Sequence, residues 1–442
     1  MKIQLSDHFT YQKIFRFVLP SIVMMVFTSI YGVVDGFFIS NFAGKTAFAS
    51  INLVMPFIMI VAGIGFMIGT GGTALVSKYL GQKEEERANE CFTMMVIVVI
   101  VSGIIVSLLG IIFMRKISYF LGATEAMIED CVVYGRIVIA FNMPYMLQNV
   151  FQSFMIAAEK PKLGLKITVL SGVTNMVLDA LFVGVFKWGV AGAAFATGAS
   201  QCVGGFGPLI YFAKENDSRL RLVKTKLELE PILQAAGNGS SELMSNISSS
   251  LVGAVYNYQL MKYIGENGVS AYGVLMYVQF IFVAIYVGYA IGCAPIVSYH
   301  YGAKNHAEVK NMLHKSITLM SVLGIILALA AFFLSSILAK IFVGYDIELL
   351  ALTTHAFKLF SLSFLFAGLN IYTSSFFTAL NNGVISAAVS FIRTLIFQMA
   401  FVLFLPLILG TDGIWVSSIA AEVAAFIVST IFLVIERKEY QY

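Results

Sequence analysis

Polar breaks divide this chain into runs of about 20 or more apolar residues, and no other feature constrains its fold as strongly. About 20 helical residues cross the ~30 Å hydrocarbon core of a bilayer. Such runs occupy 14–39, 48–77, 91–113, 131–158, 163–187, 189–213, 231–261, 268–298, 316–338, 352–379, 384–409 and 413–435. Backbone in lipid must satisfy its own hydrogen bonds, so twelve runs predict an all-α integral membrane protein of twelve transmembrane helices. Composition agrees. The 442 residues are 59% hydrophobic and 12% charged, with mean hydropathy +0.87, whereas soluble domains carry about 25% charged residues. That excludes a soluble enzyme, a disordered chain and a disulfide-rich secreted domain. A net charge of +4 is too small to suggest a nucleic-acid partner. The four cysteines, Cys91, Cys131, Cys202 and Cys293, sit in or beside apolar runs with no C-x-x-C spacing, which reads as packing. The N-terminal residues lack a short apolar core with a cleavage site, so the first run is expected to stay as a spanning helix.

Basic residues set the expected orientation. If the N-terminus lies inside, 19 of the 28 Lys and Arg fall in cytoplasmic segments, and the positive-inside rule places both termini in the cytoplasm of a cell (inner) membrane.

The chain also repeats itself. Gly71-Gly-Thr-Ala-Leu-Val-Ser-Lys-Tyr-Leu-Gly-Gln-Lys and Gly292-Cys-Ala-Pro-Ile-Val-Ser-Tyr-His-Tyr-Gly-Ala-Lys match at an offset of 221, half of 442. The same register pairs Met55 with Met276, Asn149 with Asn370, Ala158 with Ala379, Gly192 with Gly413 and Ala199 with Ala420. Two six-helix lobes follow, 1–213 and 231–442, joined by a polar cytoplasmic linker at 214–230. Six is even, so both copies enter the membrane in the same direction, a parallel repeat of the kind some transporters use. Two such lobes enclose a cleft that can open to either side.

Charges at mid-bilayer are costly and point to function. Asp35, Asp179, Glu242 and Glu422 lie within runs. At 1.5 Å per residue, Asp35, Asp179 and Thr197 reach levels within about two turns of one another, and Asn175 stands one turn below Asp179 on the same face. Two carboxylates, an amide and a hydroxyl suit a hard monovalent cation, with Na⁺ the metal expected, or a shared proton. An offset of 221 maps Asp35 to Tyr256, Asn175 to Ile396, Asp179 to Ala400 and Thr197 to Ser418, so the site is expected in the N-terminal lobe alone. Asn238, Ser241, Glu242, Ser245 and Ser249 form a polar stripe on one helical run. Tyr31, Tyr134, Asn149, Glu242 and Ser245 are the residues expected to line a substrate cavity. Arg393 and Glu422 lie deep in the last two runs, which a short turn joins, and are expected to form a structural ion pair. There is no G-x-S-x-G, no metal-ligand spacing among the histidines and no Walker A loop, which predicts a non-enzyme without a cofactor.

Pro20 and Asp35 in the first run, Val76-Ser-Lys-Tyr-Leu-Gly and Asn175-x-x-x-Asp179 resemble the multidrug and toxic compound extrusion (MATE) family over the whole chain. Asp35, Asn175, Asp179 and Thr197 are similar to the N-lobe cation site of its DinF-like prokaryotic branch. The NorM-like branch carries an acid in the tenth helix, and residues 352–379 have none. The resemblance implies a monomer, a multidrug efflux antiporter that exports cationic or amphipathic compounds in exchange for H⁺ or Na⁺. A lipid-linked oligosaccharide flippase of the same superfamily is the alternative. A pyrophosphate cargo calls for several basic groups, and only Arg393 lies deep in a run.

Overall fold

The computed structural model describes residues 3–42 and 45–442, with side chains throughout except at 33, 36, 37, 39–42 and 45–48. Among the described residues the helices line up into twelve rods without a strand. The first lobe contains α1 (Tyr11–Phe42), α2 (Lys45–Gly81), α3 (Glu85–Phe120) and α4 (Ile128–Ala140 and Asn142–Ala157). It is completed by α5 (Pro161–Asp179, continued by a π-helix Ala180–Val185) and α6 (Gly189–Ala213). The second contains α7 (Leu229–Tyr263), α8 (Glu266–Gly302), α9 (His306–Phe333, then Ser335–Val343) and α10 (Ile347–Ser361 and Phe364–Ala379). Its last rods are α11 (Gly383–Phe391, a π-helix Ile392–Phe397, Gln398–Phe404 and Pro406–Leu409) and α12 (Thr411–Ile435).

Eight of the described helices are individually long and apolar enough to cross a membrane, and α10 joins them if its two halves, bent by 49°, count as one span. The other three rods are diluted by what they carry inward. α4 breaks at Phe141 and presents Asn142, Gln148, Asn149 and Gln152, all buried; α7 carries the polar stripe; α6 is rich in Gly and Ala. Rods α3 and α9 extend beyond the apolar runs because their first turns hold Glu85, Glu86 and Glu308, which favour a helix N-terminus.

The repeat is visible in backbone detail. Lys83 and Lys304, 221 apart, both adopt left-handed turns with φ of 66° and 55°. A Cβ on Gly81 would stand 2.0 Å from the Tyr299 carbonyl oxygen, and one on Gly302 would stand 2.1 Å from that of Lys78. Each of these pairs is the other's image at the same offset, so a pseudo-two-fold axis runs between the ends of α2 and α8. Only glycine permits that approach. The lobes also touch where α2 meets α7: a Cβ on Gly71 would lie 1.9 Å from Ala235 O, and one on Gly239 would lie 1.8 Å from Met67 O. Both termini lie on the face nearest this seam. Leu5 N–H donates to Glu159, and His306 Nδ1 lies 3.1 Å from the Tyr440 carbonyl oxygen.

Candidate functional site

The four N-lobe residues come from three rods: Asp35 from α1, Asn175 and Asp179 from α5, Thr197 from α6. Gly172, on the Asn175 and Asp179 face of α5, is what lets α1 approach. A Cβ there would come within 2.5 Å of the Phe27 ring and 2.9 Å of the Tyr31 ring. The carboxyl groups of Asp35 and Asp179 are near enough to act on each other electrostatically. Asp179 and Asn175 are fully buried. Asp35 Oδ1, both oxygens of Asp179, Asn175 Oδ1 and Thr197 Oγ1 are all buried without a hydrogen-bond partner among the described residues. Buried polar atoms are normally satisfied, so five orphan oxygens on these four residues are an unusual set. All are acceptors or, for the hydroxyl, able to accept. Such a set is matched to a hard cation, or to a proton shared between the carboxylates. Among the described residues no cluster of three or more His, Cys, Asp or Glu could hold a metal ion; the cage combines two acids with neutral oxygens instead.

The C-lobe has the same frame with different chemistry. Tyr256 stands at the position equivalent to Asp35, and its hydroxyl lies 3.0 Å from both Gln398 Oε1 and Ser418 Oγ, the equivalent of Thr197. These polar groups satisfy one another and hold no charge.

A cavity of about 280 Å³ lies mostly in the C-lobe. Its walls are Glu242, Ser245, Ser249 and Tyr256 of α7, Tyr272 and Gln279 of α8, Arg393 of α11 and Glu422 of α12, with Thr70, Thr73 and Ser153 from the other lobe. Tyr256 and Tyr272 stack in parallel with centroids 5.1 Å apart, giving it an aromatic panel. Glu242 and Ser245 line this cavity. Tyr31, Tyr134 and Asn149 do not. Tyr31 instead lies near Gln148 and Asp35, and Tyr134 is buried beside both acids with its hydroxyl 3.9 Å from Met55 Sδ. Asn149 is buried, with Nδ2 3.5 Å from the Ala62 carbonyl oxygen. These side chains point within their own lobe because α4 packs against α2 and α3 there, a choice of face that apolar periodicity leaves open. Asp35 and Asp179 are not part of the cavity wall either, so a bound cargo in it does not touch their carboxylates.

Arg393 and Glu422 meet inside the cavity wall. Arg393 Nη2 is 2.9 Å from Glu422 Oε1, and Arg393 Nε donates to both carboxylate oxygens at 3.0 Å. Asn370 adds a 2.7 Å hydrogen bond to Glu422 Oε2 and itself accepts from Ser429. Nothing in the residue pattern points to these two partners beyond the repeat match of Asn370 with Asn149. Arg393 sits in the π-helix of α11, an irregularity frequent at functional sites. Among the described residues no ion pair or hydrogen bond is made by the Glu242 carboxyl group, which lines the cavity. A Ser245→Cys variant in a background lacking the four native cysteines should react with a membrane-impermeant maleimide. Failure to label in any condition would mean the stripe is sealed between helices.

The MatE family model matches residues 20–181 and 241–404, two stretches whose starts are 221 apart. Multidrug export protein MepA of Staphylococcus haemolyticus (strain JCSC1435) is 24% identical over 425 residues, 94% of this chain and 92% of that protein. The MepA of Staphylococcus saprophyticus is 24% identical over 362 residues, 80% of each. Among solved structures, a MATE crystallised in complex with MaL6 superposes with a TM-score of 0.92 at 19% identity, covering 97% of this chain and 96% of that one. An outward-facing multidrug resistance MATE transporter of the MOP superfamily gives 0.92 with the same identity and coverage. The family model accounts for well over half of the chain in two copies, in the twelve-helix fold described above, and the chain belongs to the MatE family.

Proposed function

We propose that this protein is an ion-coupled antiporter of the cell membrane that exports organic cations, with both termini in the cytoplasm. The observation that carries the reading is the separation of two unsatisfied anionic sites. Asp35 and Asp179 face each other with orphan oxygens in the N-lobe, and Glu242 stands unpaired in a roomy C-lobe cavity. A small ion fits the first, and an amphipathic cation fits the second, where Tyr256 and Tyr272 offer ring faces. The names of the staphylococcal relatives support a drug cargo. The cavity's guanidinium is already neutralised by Glu422, which leaves no free positive charge for a pyrophosphate, so the flippase reading is not favoured.

Coupling in this reading is mechanical. Neutralising the Asp35–Asp179 pair with H⁺ or Na⁺ removes a repulsion between α1 and α5. Rod α1 is also pressed against α8: a Cβ on Gly288 would lie 2.6 Å from the Ile22 Cα, and one on Gly292 would lie 2.6 Å from Val18. Val287, Ala290, Ile291 and Ala294 of α8 line the cavity. A shift of α1 therefore reshapes the cargo site, and each ligand biases the same two-state element.

The test is efflux of a fluorescent organic cation from vesicles holding the purified protein, with a Na⁺ or a pH gradient imposed one at a time. One of the two gradients should drive efflux above the leak. Efflux indifferent to both would overturn the antiport reading.

A further inference from the structure

Each lobe's first rod is entered through a segment that is docked on the opposite lobe, and the two segments dock on equivalent rod starts, those of α9 and α3. Residues 3–10 lead into α1 but lie across the start of α9. Phe9 N–H donates to Glu308 Oε1 at 2.8 Å, and His8 Nδ1 lies 2.7 Å from Glu308 Oε2. The Phe9 carbonyl oxygen accepts from Asn311 and Lys315 at 3.0 and 2.7 Å. Leu5 and Phe9 are fully buried. Residues 214–228 lead into α7 but lie across the start of α3. Arg221 N–H donates to Asn89 Oδ1 at 2.8 Å, and Val223 N–H donates to Thr93 Oγ1 at 3.0 Å. Glu228 closes a two-point contact with Arg87, at 2.6 and 3.0 Å. Arg87 and Glu308 are themselves 221 apart, so the same place on the two lobes carries the anchor, with the charges exchanged.

We propose that these crossed straps are a paired latch that holds the lobes shut at the face carrying both termini. The tethers are short. Only Thr10 separates Phe9 from the start of α1 at Tyr11, and Glu228 directly precedes α7. At no more than about 3.6 Å per residue, neither strap has slack to let a rod end leave the opposite lobe while its anchor holds. The seam of Gly71, Gly81, Gly239 and Gly302 lies between this face and the cavity, so opening the seam requires the straps to release. The exposed Arg87–Glu228 pair contributes little by itself; the buried acceptor Glu308 carries the hold at α9, and at α3 Asn89 and Thr93 fix the segment ahead of α7 and so keep Glu228 beside Arg87.

The latch is tested on the full chain in lipid nanodiscs, without cargo, so that the outcome is independent of what the protein transports. In a background lacking the native cysteines, two reporters are compared. Ser77→Cys lies buried on α2 one turn before Gly81, and Ser245→Cys lies in the cavity. Glu308→Ala, and separately Asn89→Ala with Thr93→Val, should raise the maleimide labelling rate at position 77 by about tenfold. That is the factor implied by loss from the closed state of one hydrogen bond to a charged group, or of two to neutral groups. Labelling at position 245 should fall. Glu308→Gln, which keeps an acceptor for Phe9 N–H, should lie between Glu308→Ala and the parent. Unchanged rates at position 77 would make the straps passive hinges and overturn the proposal, and so would rates that rise at both positions, which signal general loosening.

Discussion

Asp35→Asn and Asp179→Asn should each abolish gradient-driven efflux while leaving expression, and the elution profile of the purified protein, close to those of the parent. The reason is electrostatic. Two unit charges about 4 Å apart repel by ~4 kcal/mol at an effective dielectric of about 20, enough to bias the packing of α1 against α5 in one protonation or ion-bound state and not in the other. An amide at either position removes the repulsion permanently and keeps the volume, so the rods stay together but no longer respond to the ion. Folding survives because Asp35 Oδ1 and both Asp179 oxygens have no hydrogen-bond partner to lose among the described residues. Thr197→Ala and Asn175→Ala separate the two candidate ions. Both supply neutral oxygens, which matter to Na⁺ and are dispensable to a proton, so they should raise the Na⁺ concentration needed for half-maximal efflux if Na⁺ is the coupling ion. Full efflux by both Asp→Asn variants would remove these carboxylates from the mechanism.

The second large effect concerns stability. Arg393→Leu and Glu422→Leu should each destabilise the protein by about 3–5 kcal/mol, because each leaves its partner charged and unpaired in the wall of the cavity. The double variant should recover most of that loss. Asn370 does not become an orphan in the double variant, since its amide also donates to the Glu422 backbone carbonyl at 3.0 Å. Thermal unfolding in detergent reads the result as melting temperatures: two low singles and a double near the parent. Three equal melting temperatures would mean the pair contributes nothing to folding. Efflux distinguishes this pair from the N-lobe acids. A double variant that is stable and still exports marks Arg393 and Glu422 as architecture of the cavity, and one that is stable yet inactive gives them contact with cargo.

Much of this molecule was legible in its residues because membranes make hydropathy nearly deterministic. A run of about 20 apolar residues has few alternatives to a spanning helix, and the 221-residue register, read from Gly71 to Gly81 against Gly292 to Gly302, announces two lobes. The cost of charge in lipid singles out Asp35, Asp179, Glu242, Arg393 and Glu422 without any structure. Their depths, counted at 1.5 Å per residue, are what suggest that α1, α5 and α6 present their polar groups at one level.

Which face of a rod meets which neighbour is another matter, because apolar residues surround most of these helices and leave rotation about the axis undetermined. Tyr31 and Tyr134 therefore turned toward the N-lobe acids and away from the cavity, and the cavity itself opened among α7, α8, α11 and α12, at a distance from Asp35 and Asp179. The crossed straps carry no periodic signal at all, since their hold depends on single backbone N–H groups finding Glu308, Asn89 and Thr93 some 130 to 300 residues away in the chain. Local hydropathy determined the twelve spans, the repeat and the identity of the costly charges. Packing between helices, through the glycine contacts at 71, 81, 172, 239 and 302 that admit a neighbouring rod, decided which of those charges face each other, which face the cavity and how the two lobes are held.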